Sequence, residues 1–177
     1  MNLRIKKKTL PGAFTLIELI MVIVIIGIIA MIALPRIAGF AMIQFSGALK
    51  KITQNVRFVQ QIAIAKHTNC RIIFDETIDT YAAEEESPQG SNAWVAIPDP
   101  FTKANLTVNF RIDPYYNGIN ITAANFGGGA TLRFNWEGIP QNATGTNLSS
   151  DGWVNFIYKG NNSTLYVNPN TGRVRVE

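Results

Sequence analysis

Few residues in this chain are able to do chemistry. Glu18 is a lone carboxylate at the start of an apolar run: Leu19–Leu34 carries no charge, and Gly27 is its only residue that is neither aliphatic nor methionine. A carboxylate held at membrane depth costs roughly 3 kcal/mol, so such a group generally has a function and a partner. Arg173 and Arg175 lie two apart near the other end. In a strand that spacing puts both guanidinium groups on one face, with Val174 and Val176 on the other. Two neighbouring arginines can straddle phosphates in a salt-sensitive, sequence-independent way, with Gly172 leaving the backbone open beside them. They serve equally well to protect an edge strand. His67 and Cys70 are the only histidine and the only cysteine, which rules out an intrachain disulfide and a zinc site of the usual ligand count. No His-based triad, phosphate loop or pair of catalytic carboxylates is evident, so no enzymatic activity, cofactor or metal is expected. Glu84-Glu85-Glu86 reads as a solvated loop, not a metal site.

The elements that must position these residues follow from charge and periodicity. The chain has 177 residues and a formal net charge of +4. Four of its 16 basic side chains (Arg4, Lys6, Lys7 and Lys8) fall within residues 1–13, which leaves 12 against 12 acidic side chains. The basic character therefore belongs to the N-terminus and does not argue that the whole chain binds nucleic acid. Residues 14–34 amount to roughly 32 Å of helix, enough to cross a ~30 Å hydrocarbon core. The preceding positive charges place the N-terminus in the cytoplasm. Leu49, Ile52, Val56, Val59 and Ala63 recur at helical spacing, so an amphipathic helix is expected over 35–67, ending about Lys66, with a kink or local melting at Pro35.

Beyond Thr68-Asn69 the period becomes two. Leu106, Val108, Phe110 and Ile112 alternate with polar residues, as do Leu132, Phe134 and Trp136. Further strands are expected at Arg71–Phe74, Thr77–Ala82, Trp94–Ile97, Trp153–Tyr158, Leu165–Val167 and Arg173–Val176, the last two joined as a hairpin by Asn168-Pro169-Asn170-Thr171-Gly172. Loops are expected at 84–92 and 137–152. The fold class is therefore α+β, with a long N-terminal helix packed on one antiparallel β-sheet head over 68–177.

Gly12-Ala13-Phe14-Thr15-Leu16-Ile17-Glu18, the following aliphatic run with Gly27, and Ala33-Leu34-Pro35 resemble the start of a type IV prepilin or type II secretion pseudopilin. That resemblance implies a basic leader over 1–13, cut by a prepilin peptidase between Ala13 and Phe14, with methylation of the new amine of Phe14. It gives Glu18 and Pro35 roles in filament assembly, Glu18 answering a neighbouring subunit's N-terminal amine. The chain departs from the family pattern at Ala13, where glycine is usual. The segments Val56–Ala63, Leu132–Pro140 and Val167–Arg175 resemble the narrower GspH/FimT group of minor pilins and pseudopilins. The implied partners are the peptidase, other pilin or pseudopilin subunits and an inner-membrane assembly platform. The implied location is the inner membrane, with a periplasmic head, and then a filament for protein secretion. The Gly172-Arg173-Val174-Arg175 ending also resembles a DNA-binding motif of FimT-like pilins, which makes a DNA-uptake subunit the alternative.

Overall fold

The computed structural model describes residues 15–177, with the side chains of 32–39 outside that description. The expected leader, the expected cut between Ala13 and Phe14, the expected methylation of Phe14 and the side chain of Pro35 all lie outside the described residues. The chain divides into two compact units, 1–40 and 41–177, which are described separately.

The single helix among the described residues, α1, runs Leu16–Lys66. Thr15 starts it: its side-chain oxygen accepts the Glu18 amide at 3.3 Å, and its carbonyl accepts the Glu18 and Leu19 amides. A Thr-x-x-Glu start satisfies amides that would otherwise lack partners, and a carboxylate suits the positive end of the helix dipole. At the other end His67 takes a left-handed conformation, φ 50°. The Thr68 amide reaches back to the Ala63 carbonyl and the His67 amide to that of Ile64. These two bonds close a Schellman cap, so the chain's only histidine is placed at a helix terminus.

In the first unit the side chains of Leu16–Ile29 are exposed on every face of the helix. Among the described residues no helix is long and apolar enough to cross a membrane. The apolar stretch they include, 16–31, amounts to roughly 24 Å of helix, short of a ~30 Å core. The rest of the expected span, 14 and 32–34, falls outside the described side chains.

The second unit holds the head. Its helical part buries Phe45, Ala48, Leu49, Ile52, Val56, Val59 and Ala63, which includes the whole expected stripe. The strands are β1 (Cys70–Asp75), β2 (Thr80–Glu86), β3 (Trp94–Ala96), β4 (Thr107–Asn109), β5 (Asn120–Asn125), β6 (Thr131–Phe134), β7 (Pro140–Gln141), β8 (Gly152–Tyr158), β9 (Asn161–Val167) and β10 (Val174–Val176). All pairings are antiparallel. They build two sheets where one was expected, ordered β3-β2-β1-β6-β7 and β10-β9-β8-β5, with β4 sharing an edge of β2 with β3. Alternation in each strand sends one set inward: Ile72 and Phe74, Leu132 and Phe134, Val154 and Phe156, Leu165 and Val167.

Several expectations need correction. The strand expected over 106–112 shrinks to β4, because Phe110 already turns into a loop and Ile112 is 77% exposed. Residues 77–79 form a turn, and β2 instead continues through Glu86, so the three glutamates are strand residues and not a loop. Residues 137–152 contain β7 and a bridge from Gln141 to Asn147. The Asn142 side chain accepts the Thr144 and Thr146 amides there, and Leu148 is buried. Strand β5 was not anticipated; its Asn-Ile-Thr-Ala-Ala-Asn sequence is short of strand formers and carries a register shift between Ile121 and Ala123.

Carboxylates join the two sheets. Buried Asp79 accepts the Ile121 amide of β5 at 3.0 Å through Oδ1, and Arg111 Nε at 2.9 Å through Oδ2. Glu76 Oε1 accepts the Ala124 amide at 2.8 Å. Two amides of edge strand β5 are thereby satisfied by side chains of the β1–β2 turn.

Since the second unit contains one continuous core drawn from α1 and both sheets, a truncated chain beginning near Phe40 should fold alone. It should be soluble, melt cooperatively and give a circular dichroism spectrum dominated by β structure. A molten or insoluble product would mean that another chain completes the core.

Candidate functional site

Glu18 sits in the first turn of α1, exposed, between Leu16, Ile17, Leu19 and Ile20, which are all at least half exposed. Its amide is used by Thr15, and among the described residues no basic group pairs with its carboxylate. Among the described residues of the first unit, this leaves a charge surrounded by uncovered aliphatic side chains. Position 35 falls within α1.

Arg173 and Arg175 do share one groove, of about 460 Å³, with Asn168 and Thr171. Their circumstances differ. Arg175 is held by Asp151 through Nη1 and by Glu177 through Nε, both at 2.9 Å, and lies 4.7 Å over the Tyr166 ring. Its pKa is raised, first by the hydrogen bond to Glu177 and then by Asp151. Arg173 has no carboxylate within ion-pair distance among the described residues. Gly172 does not leave the backbone open, as the sequence suggested. It is buried with φ 66°, and a Cβ there would run into Gln60 and lie 3.1 Å from the Phe134 ring. Gln60 Nε2 donates to the Thr171 carbonyl at 3.0 Å and to that of Gly138 at 2.9 Å, so glycine is needed where the hairpin docks on α1. Val174 is buried, but Val176 is 40% exposed at the rim and does not join the core.

The glutamate run splits into three separate roles. Glu84 pairs with Arg71 at 2.6 Å, and that guanidinium stacks 4.1 Å over Trp94. Glu85 pairs with Lys66 at the end of α1, 2.7 Å away. Glu86 is buried at 3% exposure, accepting Asn69 Nδ2 and the Asn92 amide, with Arg133 Nη2 at 3.8 Å. Burial raises its pKa, but hydrogen bonds from Asn69, Asn92 and Gly90 and the Arg133 charge outweigh this and hold it below the usual range. The stability linked to a depressed carboxyl is present at neutral pH and lost as pH falls through that lowered pKa. Among the described residues no three His, Cys, Asp or Glu side chains could hold a metal. The Cys70 thiol is buried, and desolvation, followed by Glu85, pushes its pKa up to about 12, which leaves it unreactive at neutral pH.

A helix whose stripe closes two antiparallel sheets into one core, continuing from an apolar first half, is the α+β architecture of a pilin-like head. More narrowly, the chain has a GspH-like pseudopilin fold. The solved structure of the minor pseudopilin EpsH from the type 2 secretion system of Vibrio cholerae superposes with a TM-score of 0.53 at 12% identity. The match covers 75% of this chain and 94% of that one. No protein-family model matches the chain, and no curated protein matches it in sequence.

Proposed function

We propose that the chain is a minor pseudopilin or pilin, a structural subunit of a type II secretion pseudopilus or type IV pilus. It is inserted in the inner membrane through residues 14–34 with its N-terminus in the cytoplasm and its head in the periplasm. A prepilin peptidase cuts between Ala13 and Phe14 and methylates Phe14. An inner-membrane assembly platform then moves the subunit into a filament, where Glu18 meets a neighbour's amine and the region of Pro35 adapts to helix packing. The observation that carries this reading is the exposure of Leu16–Ile29 on every helix face, in a chain whose head has a continuous core of its own. Fully burying one Leu or Ile is worth about 1.5–3 kcal/mol, so a few of them in lipid or among neighbouring helices offset the ~3 kcal/mol cost of Glu18. The GspH-like fold supports the same reading. A role in DNA uptake rests on Arg173 and Arg175 sharing a groove. With Arg175 already occupied by Asp151 and Glu177, secretion or piliation is the better supported function.

Processing is the direct test. Mass spectrometry of the mature protein from cells with an active peptidase should show a start at Phe14 carrying one methyl group. A start at Ala13 would move Glu18 one position along and overturn the register. An intact Met1 would overturn the assignment.

A further inference from the structure

The second sheet ends in an edge that opens onto a groove. β10 is the last strand of its sheet, and the ladder to β9 shows which of its backbone groups are used. Glu177 and Thr164 exchange both backbone bonds, at 2.9 and 2.8 Å, and the Asn168 amide donates to the Arg173 carbonyl at 3.0 Å. Bonded and non-bonded pairs alternate in an antiparallel ladder, so Arg173, Arg175 and Glu177 turn their backbone groups toward β9 while Val174 and Val176 turn theirs outward. Among the described residues only Arg57 reaches that outward edge, with Nη2 3.5 Å from the Val174 carbonyl. Beside it, Leu49, Val174 and Val176 line a groove of about 350 Å³ between β10 and α1, with Lys50, Thr53 and Arg57 around them.

We propose that this edge is a strand-addition site for an extended peptide segment of a partner protein, with apolar side chains at alternate positions and carboxylates between them. The segment's backbone takes up the outward groups of Val174 and Val176. Its apolar side chains, pointing to one face, fill the groove over Leu49, Val174 and Val176. Its other side chains fall on the face of Arg173. Charge selects the acidic partner: Lys50, Arg57 and Arg173, the cations nearest the edge, have no carboxylate within ion-pair distance among the described residues, while Asp151 and Glu177 are taken up by Arg175. A second copy of this chain is a poor occupant. Antiparallel β10–β10 pairing through the outward groups of both valines would set Arg175 of one copy opposite Arg175 of the other, and like charges placed opposite one another destabilise a sheet. A short, basic edge also resists indiscriminate pairing. The inference stands apart from the assembly reading, since it rests on the head alone.

The test uses the full chain in detergent micelles and a fluorescent, end-capped peptide of about seven residues alternating valine and glutamate, the extended form that such edges accept. Fluorescence anisotropy should show saturable binding that weakens as salt rises. Val176→Pro removes one outward amide without touching the β9–β10 ladder, a position where an edge strand tolerates proline. It should weaken binding at least ~10-fold, or about 1.4 kcal/mol. Lys50→Gln/Arg173→Gln should also lower affinity, and a valine–lysine peptide should not bind. The same valine–glutamate peptide, N-methylated at the amides facing β10, should fail to bind; this ligand-side change carries the test alone if Val176→Pro does not fold. Absence of saturable binding, or equal binding by Val176→Pro or by the methylated peptide, overturns the proposal. So does a concentration-dependent dimer that Val176→Pro abolishes, which would make the edge a self-association surface. Competition by duplex DNA at low salt that Val176→Pro leaves unchanged would assign the cations to phosphate binding and would also overturn it.

Discussion

Asp79→Ala should destabilise the head by roughly 3 kcal/mol. Three losses coincide at this position. The Ile121 amide, which is buried, loses its acceptor, a loss of about 1–3 kcal/mol. Alanine must also hold φ 53°, a left-handed conformation that Asp and Asn tolerate and other residues with a Cβ resist at a cost of about 1 kcal/mol. The ion pair to Arg111 is the smallest part, because that side chain is 55% exposed and solvent screens it. For a domain of this size such a loss lowers the melting temperature by roughly 8–12 °C. Two further variants separate the causes. Asp79→Asn keeps an oxygen for Ile121 and tolerates the backbone, so about 1 kcal/mol is expected. Asp79→Gly relieves the backbone but still removes the acceptor, so it should fall between the two. Equal losses for Asn and Ala in urea or thermal unfolding would mean that the ion pair with Arg111, and not the Ile121 amide, is what Asp79 supplies.

Glu18→Ala should leave the head's melting curve unchanged and cut incorporation into sheared filaments by at least ~10-fold, the loss of a charge-assisted bond of about 1.5–3 kcal/mol. The structure supplies a competing role that must be separated from this one. Thr15 and Glu18 form the start of α1, and glutamine serves in that position nearly as well as glutamate. If the charge answers an amine on a neighbouring subunit, Glu18→Gln should fail like Glu18→Ala when sheared fractions are immunoblotted. Restored incorporation with glutamine would reduce Glu18 to a helix-start residue. Thr15→Ala, which removes the cap and keeps the carboxylate, should assemble nearly normally.

The local rules of the chain were enough for its helix and most of its inner face. The 3-4-3-4 spacing of Leu49, Ile52, Val56, Val59 and Ala63 has no other way to be buried together than on one side of a helix, and all five are buried. Alternation gave β1 and β8 to within a residue, because each is an inward–outward strand whose period needs no knowledge of its neighbours; β6 stops at Phe134, short of Trp136, and β9 begins at Asn161, well before the expected Leu165. The N-terminal resemblance pointed to the fold that the head adopts. What the tertiary structure alone decided were features set by contacts between distant residues. The two sheets are tied together by Asp79 and Glu76 reaching β5 from 42 and 48 residues away, and no local pattern marks such a carboxylate. Glu86 looks like a solvated acid in sequence and is buried only because Asn69, Asn92 and Arg133 converge on it. Arg173 and Arg175 look equivalent at a spacing of two, yet Asp151 and Glu177 claim only one of them. Periodicity tells which face a side chain takes. Which partners wait on that face, and whether an edge such as that of β10 is left open, is decided by how the sheets meet the helix.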